Sequence, residues 1–573
     1  MKFLKNYLPN LRGSILLGAF FKLCEAVLEL LIPLVMAALI DEGVAIGDRS
    51  VIWQKTGLMV LLSLIGILCA LVCQVVATKA STRFAADLRH DAFAKTGALS
   101  RQDVDRLGEA SLVTRLTSDI NNLQEGLAML IRLVPRAPFL TVGSIVMAVA
   151  LDISLSAVFL VTTPLIVLSM YLVLHLTAPR YASIQRALDK IGLLTRETLM
   201  GTRVIRAFSR EKEMRRTFDT AAHDYTLEAL RAGRLSALLS PATGLIMNLG
   251  VLGVLMLGAR RVGTGAVKVG VIIAFIEYLA QILLQTGIVA NLVMLYTKAG
   301  ASAHRVGELM DFIPAVRDVR FSGKTAPDSA QIVRFDHVSL HYPDGKDALK
   351  DISFTLQKGQ TLGVIGGTGS GKSSLAALLL RSYDATEGTV SIGGQPIGEI
   401  PIKDLRKKIA VVPQKAALLR GTVRENLAMG DKTISDAAME KALRTAQSSF
   451  LFDEKDGLNT MVEENGRNFS GGQRQRLTIA RALSKKFDLL ILDDAFSALD
   501  FVTERALKHA LKEDTQNKSV VMISQRVSTI RRADCILVLD EGRMAGLGTH
   551  DELMDNCPIY REIWRSQVKE ERA

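Results

Sequence analysis

Three short stretches carry residues suited to phosphate chemistry. The first, "TLGVIGGTGSGKSS", holds the spacing G-x-x-x-x-G-K-[ST] from Gly366 to Ser373. An apolar run precedes it and the helical pattern "SLAALLLRSY" follows, the strand–loop–helix setting of a phosphate-binding loop. Gly366, Gly367, Thr368, Gly369, Ser370 and Gly371 supply backbone N–H donors, and the helix start adds a positive end. Lys372 has the reach for β- and γ-phosphates, Ser373 has a hydroxyl for Mg²⁺, and Ser374 closes the run. The second stretch is "LLILDDAFSALD", residues 489–500. Four apolar residues run into Asp493, placed to hold Mg²⁺. At the next position hydrolysis wants a long carboxylate to polarise water, and the chain has Asp494, one methylene short of Glu. Such a base must come within about 3 Å of its water, and the missing methylene withdraws it by roughly 1.5 Å. The third is "NFSGGQRQRLTIARAL", where Ser470, Gly471, Gly472 and Gln473 stand at a helix head and aim backbone donors at an anion. The chain's own loop already surrounds its phosphates, so this second anion site is best used on another molecule's nucleotide.

These residues need a rigid scaffold. From about residue 331 to 573, short β-branched runs alternate with helical patterns, the signature of an α/β domain. Before it, "IPAVRDVRFSGKTAPDSA" (313–330) turns to Pro, Gly, Ser and charge and reads as a linker. Residues 1–312 differ in kind. Hydrophobic residues make up 49% of the chain and mean hydropathy is +0.25, an excess that these residues explain. Apolar stretches run from Ile15 to Ile40, broken by Lys22, Glu25 and Glu29, and from Leu58 to Ala77 without a charge. Pro138 to His175 holds only Asp152 and is long enough for two crossings of a roughly 30 Å hydrocarbon layer joined by a tight turn. Leu235 to Ala259 and Val269 to Tyr296, the latter with only Glu277, complete six.

Six crossings put both termini on one side, and a nucleotide-using domain makes that side the cytosol. The loops at about 78–131 and 176–234 are then internal, and their helical periodicity extends the spans beyond the bilayer. They also carry much of the Lys/Arg behind the net charge of +12, so the charge reads as positive-inside bias and no nucleic-acid partner is expected. Arg260 and Arg261 fall outside, against that rule. Cys24, Cys69, Cys73, Cys535 and Cys557 show no disulfide or metal spacing and read as packing residues. The N-terminal apolar run contains charges and lacks a cleavage-site pattern, so it reads as a retained first span.

The loop at Gly366, the strand "LLILDD" and the run "FSGGQ" together resemble the ATP-binding cassette. Six spans ahead of one cassette resemble an ABC exporter half-transporter: an all-α six-helix transmembrane domain followed by an α/β P-loop cassette. The resemblance extends along the chain. It makes Tyr342 in "VSLHY" the aromatic that stacks on adenine. Gln414 in "VVPQ" becomes the glutamine that contacts Mg²⁺ beside Ser373 and Asp493. It also makes Asp500 in "SALD" the residue touching a partner cassette, and Glu464 the acidic position before the signature. "DRLGEASLVTRLTSDI" and "GTRVIRAFSREKE" resemble the stretches around the two coupling helices. Two positions depart from the family pattern. Asp494 stands at the catalytic glutamate, and Gln525 in "ISQRVST" at the switch histidine. Gln can bond a γ-phosphate but carries no charge. With "FSGGQ" intact, the pattern resembles the degenerate-site subunit of a bacterial heterodimeric multidrug-type exporter, whose partner supplies Glu and His.

The resemblance implies ATP and Mg²⁺ as ligands, a second half-transporter as partner, the bacterial cytoplasmic membrane as location and small amphipathic substrates such as drugs or lipids. A homodimer with Asp494 as a slow base, or an ATP-gated channel-like protein, are the competing expectations. Lys22, Glu25 and Glu29 share one helix face, as do Glu277, Gln281 and Gln285. Lining of a substrate path and ion pairing between helices are both open uses for such faces.

Overall fold

A computed structural model describes residues 3–319, 330–342, 345, 347–431, 433–452, 456–516 and 518–572. Part of the expected linker, 320–329, lies outside them. The chain divides into two compact units, Met1–Gly97 with Ala110–Phe312, and Ala98–Glu109 with Ile313–Ala573.

In the first unit six helical stretches among the described residues are long and apolar enough to cross a membrane: Leu4–Val44, Arg49–Gly97, Glu109–Leu151, Ile153–Met200, Glu211–Gly263 and Val269–Asp311. They are 41 to 53 residues long. At about 1.5 Å per residue each reaches roughly 60–80 Å, about twice a hydrocarbon core, so polar helix continues beyond the apolar part. The apolar run 138–175 is broken only at Asp152, whose extended backbone (φ −161°, ψ 118°) separates the two helices. Its carboxylate accepts from the Leu155 N–H at 2.9 Å, capping the second helix. The same carboxylate lies 2.7 Å from Arg261. That pair gives the off-pattern arginine a local partner.

Several buried polar groups in this unit find partners, as an apolar solvent favours, while Thr163 Oγ1 and Gln285 Oε1 are buried without one among the described residues. The Tyr278 hydroxyl donates to the Leu30 carbonyl at 2.8 Å, and Phe159 meets Phe275 edge to face at 5.5 Å. Of the two uses open for the first span's polar face, the structure shows ion pairing. Lys22 binds Glu25 at 2.7 Å, and Glu29 binds Arg136 of another helix at 2.8 Å. Gln281 accepts from Ser144 at 3.1 Å, Gln285 is buried and Glu277 is exposed. In the polar extensions, the buried Asp119 accepts from Arg305 Nε and from Ser302 Oγ, both at 2.9 Å. Arg115 Nη1 donates to the Arg305 carbonyl at 2.8 Å, so the turn Arg115–Asp119 is fastened to the helix Val269–Asp311.

The second unit is an α/β domain. Its six-stranded sheet runs, in spatial order, Arg543–Gly548, Cys535–Asp540, Thr361–Gly366, Ser519–Ile523, Leu489–Asp493 and Ile409–Val412. All neighbours are parallel except the first pair. A parallel sheet is covered on both faces, so its strands are apolar at consecutive positions rather than alternating. Leu489, Leu490, Ile491 and Leu492 are all buried. A four-stranded antiparallel sheet, led by Gln331–His341 and Asp347–Gln357, packs beside it. The short helix Arg101–Leu107 belongs to this unit; Asp103, nearly fully buried, closes a capping box with Ser100 and accepts from the Ala315 N–H at 3.2 Å.

Candidate nucleotide-binding and hydrolysis site

Parallel α/β sheets bind ligands at the carboxyl ends of their strands, where loops turn into helices. The strand Thr361–Gly366 ends in the loop that leads to the helix Lys372–Leu379. Two glycines are required by packing. A Cβ on Gly366 would lie 2.1 Å from the Leu539 carbonyl oxygen. One on Gly371, at φ +100°, would lie 2.5 Å from that of Ala348. At Gly367 and Gly369 a Cβ would meet nothing within 4 Å, so this rim of the loop is open. Lys372 is buried, and its ammonium donates to the carbonyls of Gly366 at 2.8 Å and Gly367 at 2.6 Å. Burial lowers its pKa, opposed by the charges of Asp493 and Asp494. A buried cation within an open glycine-rich loop fits a polyanionic phosphate chain.

Register places the other polar residues along the same edge. Ile523 lies opposite Asp493, and Val412 lies opposite Leu492. Asp494 and Gln525 therefore follow adjacent strands at the same end, and Gln414 follows the next one. Burial first, and the neighbouring Asp494 second, raise the Asp493 pKa, while Lys372 lowers it. A divalent cation would relieve that penalty. The hydroxyl of Ser373, the carboxylate of Asp493 and the amide of Gln414 are all oxygen donors, the set Mg²⁺ prefers. Asp494 has a left-handed backbone, φ +48°, and its N–H donates to the Ile523 carbonyl at 2.9 Å. Gln414 and Gln525 are exposed. Tyr342 stands beside the loop, its hydroxyl 2.9 Å from Ser374 Oγ and its ring edge to face with Tyr383 at 5.1 Å.

Ser470 caps the helix Gly471–Ser484 through a reciprocal box: it accepts from the Gln473 N–H at 3.2 Å, and Gln473 Oε1 accepts from the Ser470 N–H at 2.8 Å. Gly471 is exposed and a Cβ there meets nothing, so the helix head faces outward. Among the described residues no hydrogen bond or ion pair joins 470–473 to 366–374 within this chain. The signature helix is instead tied to the hydrolytic strand, because the buried Gln475 donates to the Ala495 carbonyl at 3.0 Å. Asp500 caps the helix Phe501–Asp514 by accepting from the Thr503 N–H at 2.9 Å, and that bond holds its carboxyl below the usual range. Glu464 lies exposed in the short turn Glu464–Gly466.

Two residues outside the expected set touch this site. Gln567, on the helix Pro558–Arg572, donates to the Gln525 carbonyl at 2.7 Å and accepts from the Val527 N–H at 2.8 Å. Its side chain thus brackets the switch loop. Tyr383 fixes the ring of Tyr342. Neither sits in a recognisable pattern; only the folded contacts expose them.

A phosphate-binding α/β domain carried by a chain with six membrane-length helices defines an ATP-dependent membrane transporter. Residues 15–286 match the family described as ABC transporter transmembrane region, and residues 349–497 match ABC transporter. An uncharacterized ABC transporter ATP-binding protein of Mycobacterium tuberculosis is 33% identical over 98% of this chain and 97% of its own length. The ATP-dependent lipid A-core flippase of Albidiferax ferrireducens is 30% identical over 98% and 97%. The solved structure of a bacterial Atm1-family ABC exporter with ATP bound matches with a TM-score of 0.79 at 25% identity, covering 97% of this chain and 99% of that one. The chain belongs to the ABC transporter family and has its exporter arrangement, a six-helix membrane domain ahead of the ATPase domain. It is a multi-pass membrane protein and an ATP-hydrolysing translocase.

Proposed function

We propose that this chain is one half of a heterodimeric exporter of amphipathic molecules, drugs or lipids, across the bacterial cytoplasmic membrane, with both termini in the cytosol. Its own nucleotide site binds ATP and hydrolyses it slowly, and its signature completes the partner's site. The observation that carries this reading is the pairing of Asp494 and Gln525 at the ends of adjacent strands, together with a well-capped, exposed signature helix head that makes no hydrogen bond to its own phosphate loop among the described residues. In this reading residues 1–312 form the membrane domain, 313–330 the linker and 331–573 the cassette. The likeness to a lipid A-core flippase supports an amphipathic substrate.

Within the site, the amides of Gly366–Gly371 and the Lys372 ammonium hold the phosphates, and Tyr342 stacks on the base. Ser373, Gln414 and Asp493 would hold Mg²⁺, whose positive charge would offset that of the phosphate chain. Gln525 donates to the γ-phosphate without adding charge. Asp494 is the carboxylate nearest the attacking water, set back by about one C–C bond, which lowers turnover by orders of magnitude where positioning dominates. Ser470, Gly471, Gly472 and Gln473 meet the partner's γ-phosphate, and Asp500 contacts the partner cassette. ATPase measured on the chain alone and with its partner tests this. The complex is expected to turn over while the chain alone stays near background. Robust turnover by the chain alone, abolished by Asp494→Asn, would replace the heterodimer with a homodimer.

A further inference from the structure

Tyr383 lies just beyond the helix that follows the phosphate loop, in a stretch whose backbone is fixed from several sides. Arg381 has a left-handed backbone, φ +49°, and a guanidinium only 4% exposed. That guanidinium donates to Asp384 at 2.9 Å, to the Ile400 carbonyl at 3.2 Å and to the Arg317 carbonyl at 3.0 Å. Held in this frame, the nearly buried Tyr383 makes two directed contacts. Its hydroxyl donates to Asp105 Oδ2 at 2.8 Å, on the helix Arg101–Leu107. Its ring meets Tyr342 edge to face at 5.1 Å and 80°. Tyr342 in turn reaches Ser374 Oγ at 2.9 Å, next to the proposed Mg²⁺-binding hydroxyl of Ser373. Burial, and then the Asp105 carboxylate, push the Tyr383 phenol well above its ordinary pKa, so it remains a donor throughout the physiological range. The contacts are unbroken from Asp105 to the loop. Asp105 is half-exposed and bridged to Arg101 at 3.0 Å. Its helix is further stitched to the entry of the linker by Asp103 and the Ala315 N–H.

We propose that Tyr383 is a positioning residue that ties occupancy of the base site at Tyr342 to the segment 98–109 through Asp105. In sequence the segment lies between the long helix Arg49–Gly97 and the helix that begins at Glu109. A base stacked on Tyr342 restricts that ring. The edge-to-face contact hands the restriction to Tyr383, whose bond to Asp105 orders the short helix. The phosphates play no part in this route, which makes it separable from the glutamine at 414.

The proposal rests on Tyr342 stacking on adenine, and the experiment keeps the two apart. Hydrogen–deuterium exchange is followed in peptides spanning 98–109 of the full chain in nanodiscs, with ATP or with tripolyphosphate, which carries the charges without the base. ATP is expected to slow exchange of the 101–107 amides by about tenfold, and tripolyphosphate to leave it unchanged. Tyr383→Phe keeps the ring packing and removes only the hydroxyl. It is expected to abolish the ATP effect while the Kd for a fluorescent ATP analogue stays within about twofold. Asp105→Ala, at a half-exposed carboxylate, should reproduce the loss. Protection that persists in Tyr383→Phe, or that tripolyphosphate produces equally, overturns the proposal. Tyr342→Ala reports on the base site by itself: unchanged ATP affinity there refutes stacking, whereas weakened affinity with retained protection in Tyr383→Phe refutes only the relay.

Discussion

Asp494 combines a short carboxylate with a left-handed backbone (φ +48°), a region where Asp is several-fold enriched over most side chains. Lengthening it to Glu gives up that local preference, at a small cost in the loop, while extending the carboxylate by one methylene. Asp494→Glu combined with Gln525→His is expected to raise phosphate release at this site by at least about tenfold, roughly 1.4 kcal/mol off the barrier. If the double variant is no faster, these two residues do not set the turnover of this site. Gln567 makes a related case. In that revived background, Gln567→Ala should lower kcat several-fold by loosening the switch loop, with the nucleotide Kd unchanged, as single-turnover and binding assays would show. The strand–loop–helix at Gly366–Ser373, the apolar strand ending in Asp493 and the helix start at Ser470 were legible in the sequence because each is written in contiguous residues. Gln567 and Tyr383 were not, since their partners lie 42 and 278 residues away and nothing local marks either one.

At the scale of elements, the polar extension of the helical unit is held by a lopsided ion pair. Asp119 is 1% exposed, whereas the Arg305 side chain is 45% exposed. Removing the arginine strands a buried carboxylate, a change of about 3–5 kcal/mol, while removing the aspartate leaves a guanidinium that water can reach, about 1–2 kcal/mol. Arg305→Ala should therefore lower the unfolding temperature more than Asp119→Ala, and equal shifts would contradict this account. Two helices joined by a turn within residues 138–175, and helices that overrun the bilayer, followed from apolar run lengths and periodicity alone, whereas the position of the turn at Asp152 came from the structure. The destination of Glu29 did not, because its partner Arg136 stands on another helix and a face of charge looks the same whether it lines a path or meets a neighbour. The assignment of residues 98–109 to the α/β unit escaped for the same reason, resting as it does on contacts of Asp103 and Asp105 far along the chain.

For the whole molecule, the residues after Asp500 matter most. Phe501 and Val502 are 79% and 76% exposed at the head of the helix Phe501–Asp514, which follows the strand Leu489–Asp493. In the proposed dimer these open apolar side chains stand next to Asp500, the residue read as touching the partner cassette. Phe501→Glu is expected to cut ATPase of the two-chain complex several-fold and to weaken ATP-dependent association in size-exclusion runs, while binding of a fluorescent ATP analogue to the isolated chain is unaffected. Unaltered association would move the contact elsewhere. Helix length has a mechanical consequence too. Ile153–Met200 is one continuous helix of 48 residues, about 72 Å, of which some 40 Å extends past a hydrocarbon core of roughly 30 Å. It is a lever with its long arm in water. A tilt of about 5° within the bilayer sweeps its far tip by about 3.5 Å, close to one Cα–Cα step along a chain. Rotations too small to disturb packing among the spans are thereby large enough at the tip to shift a hydrogen-bonded contact by a full residue.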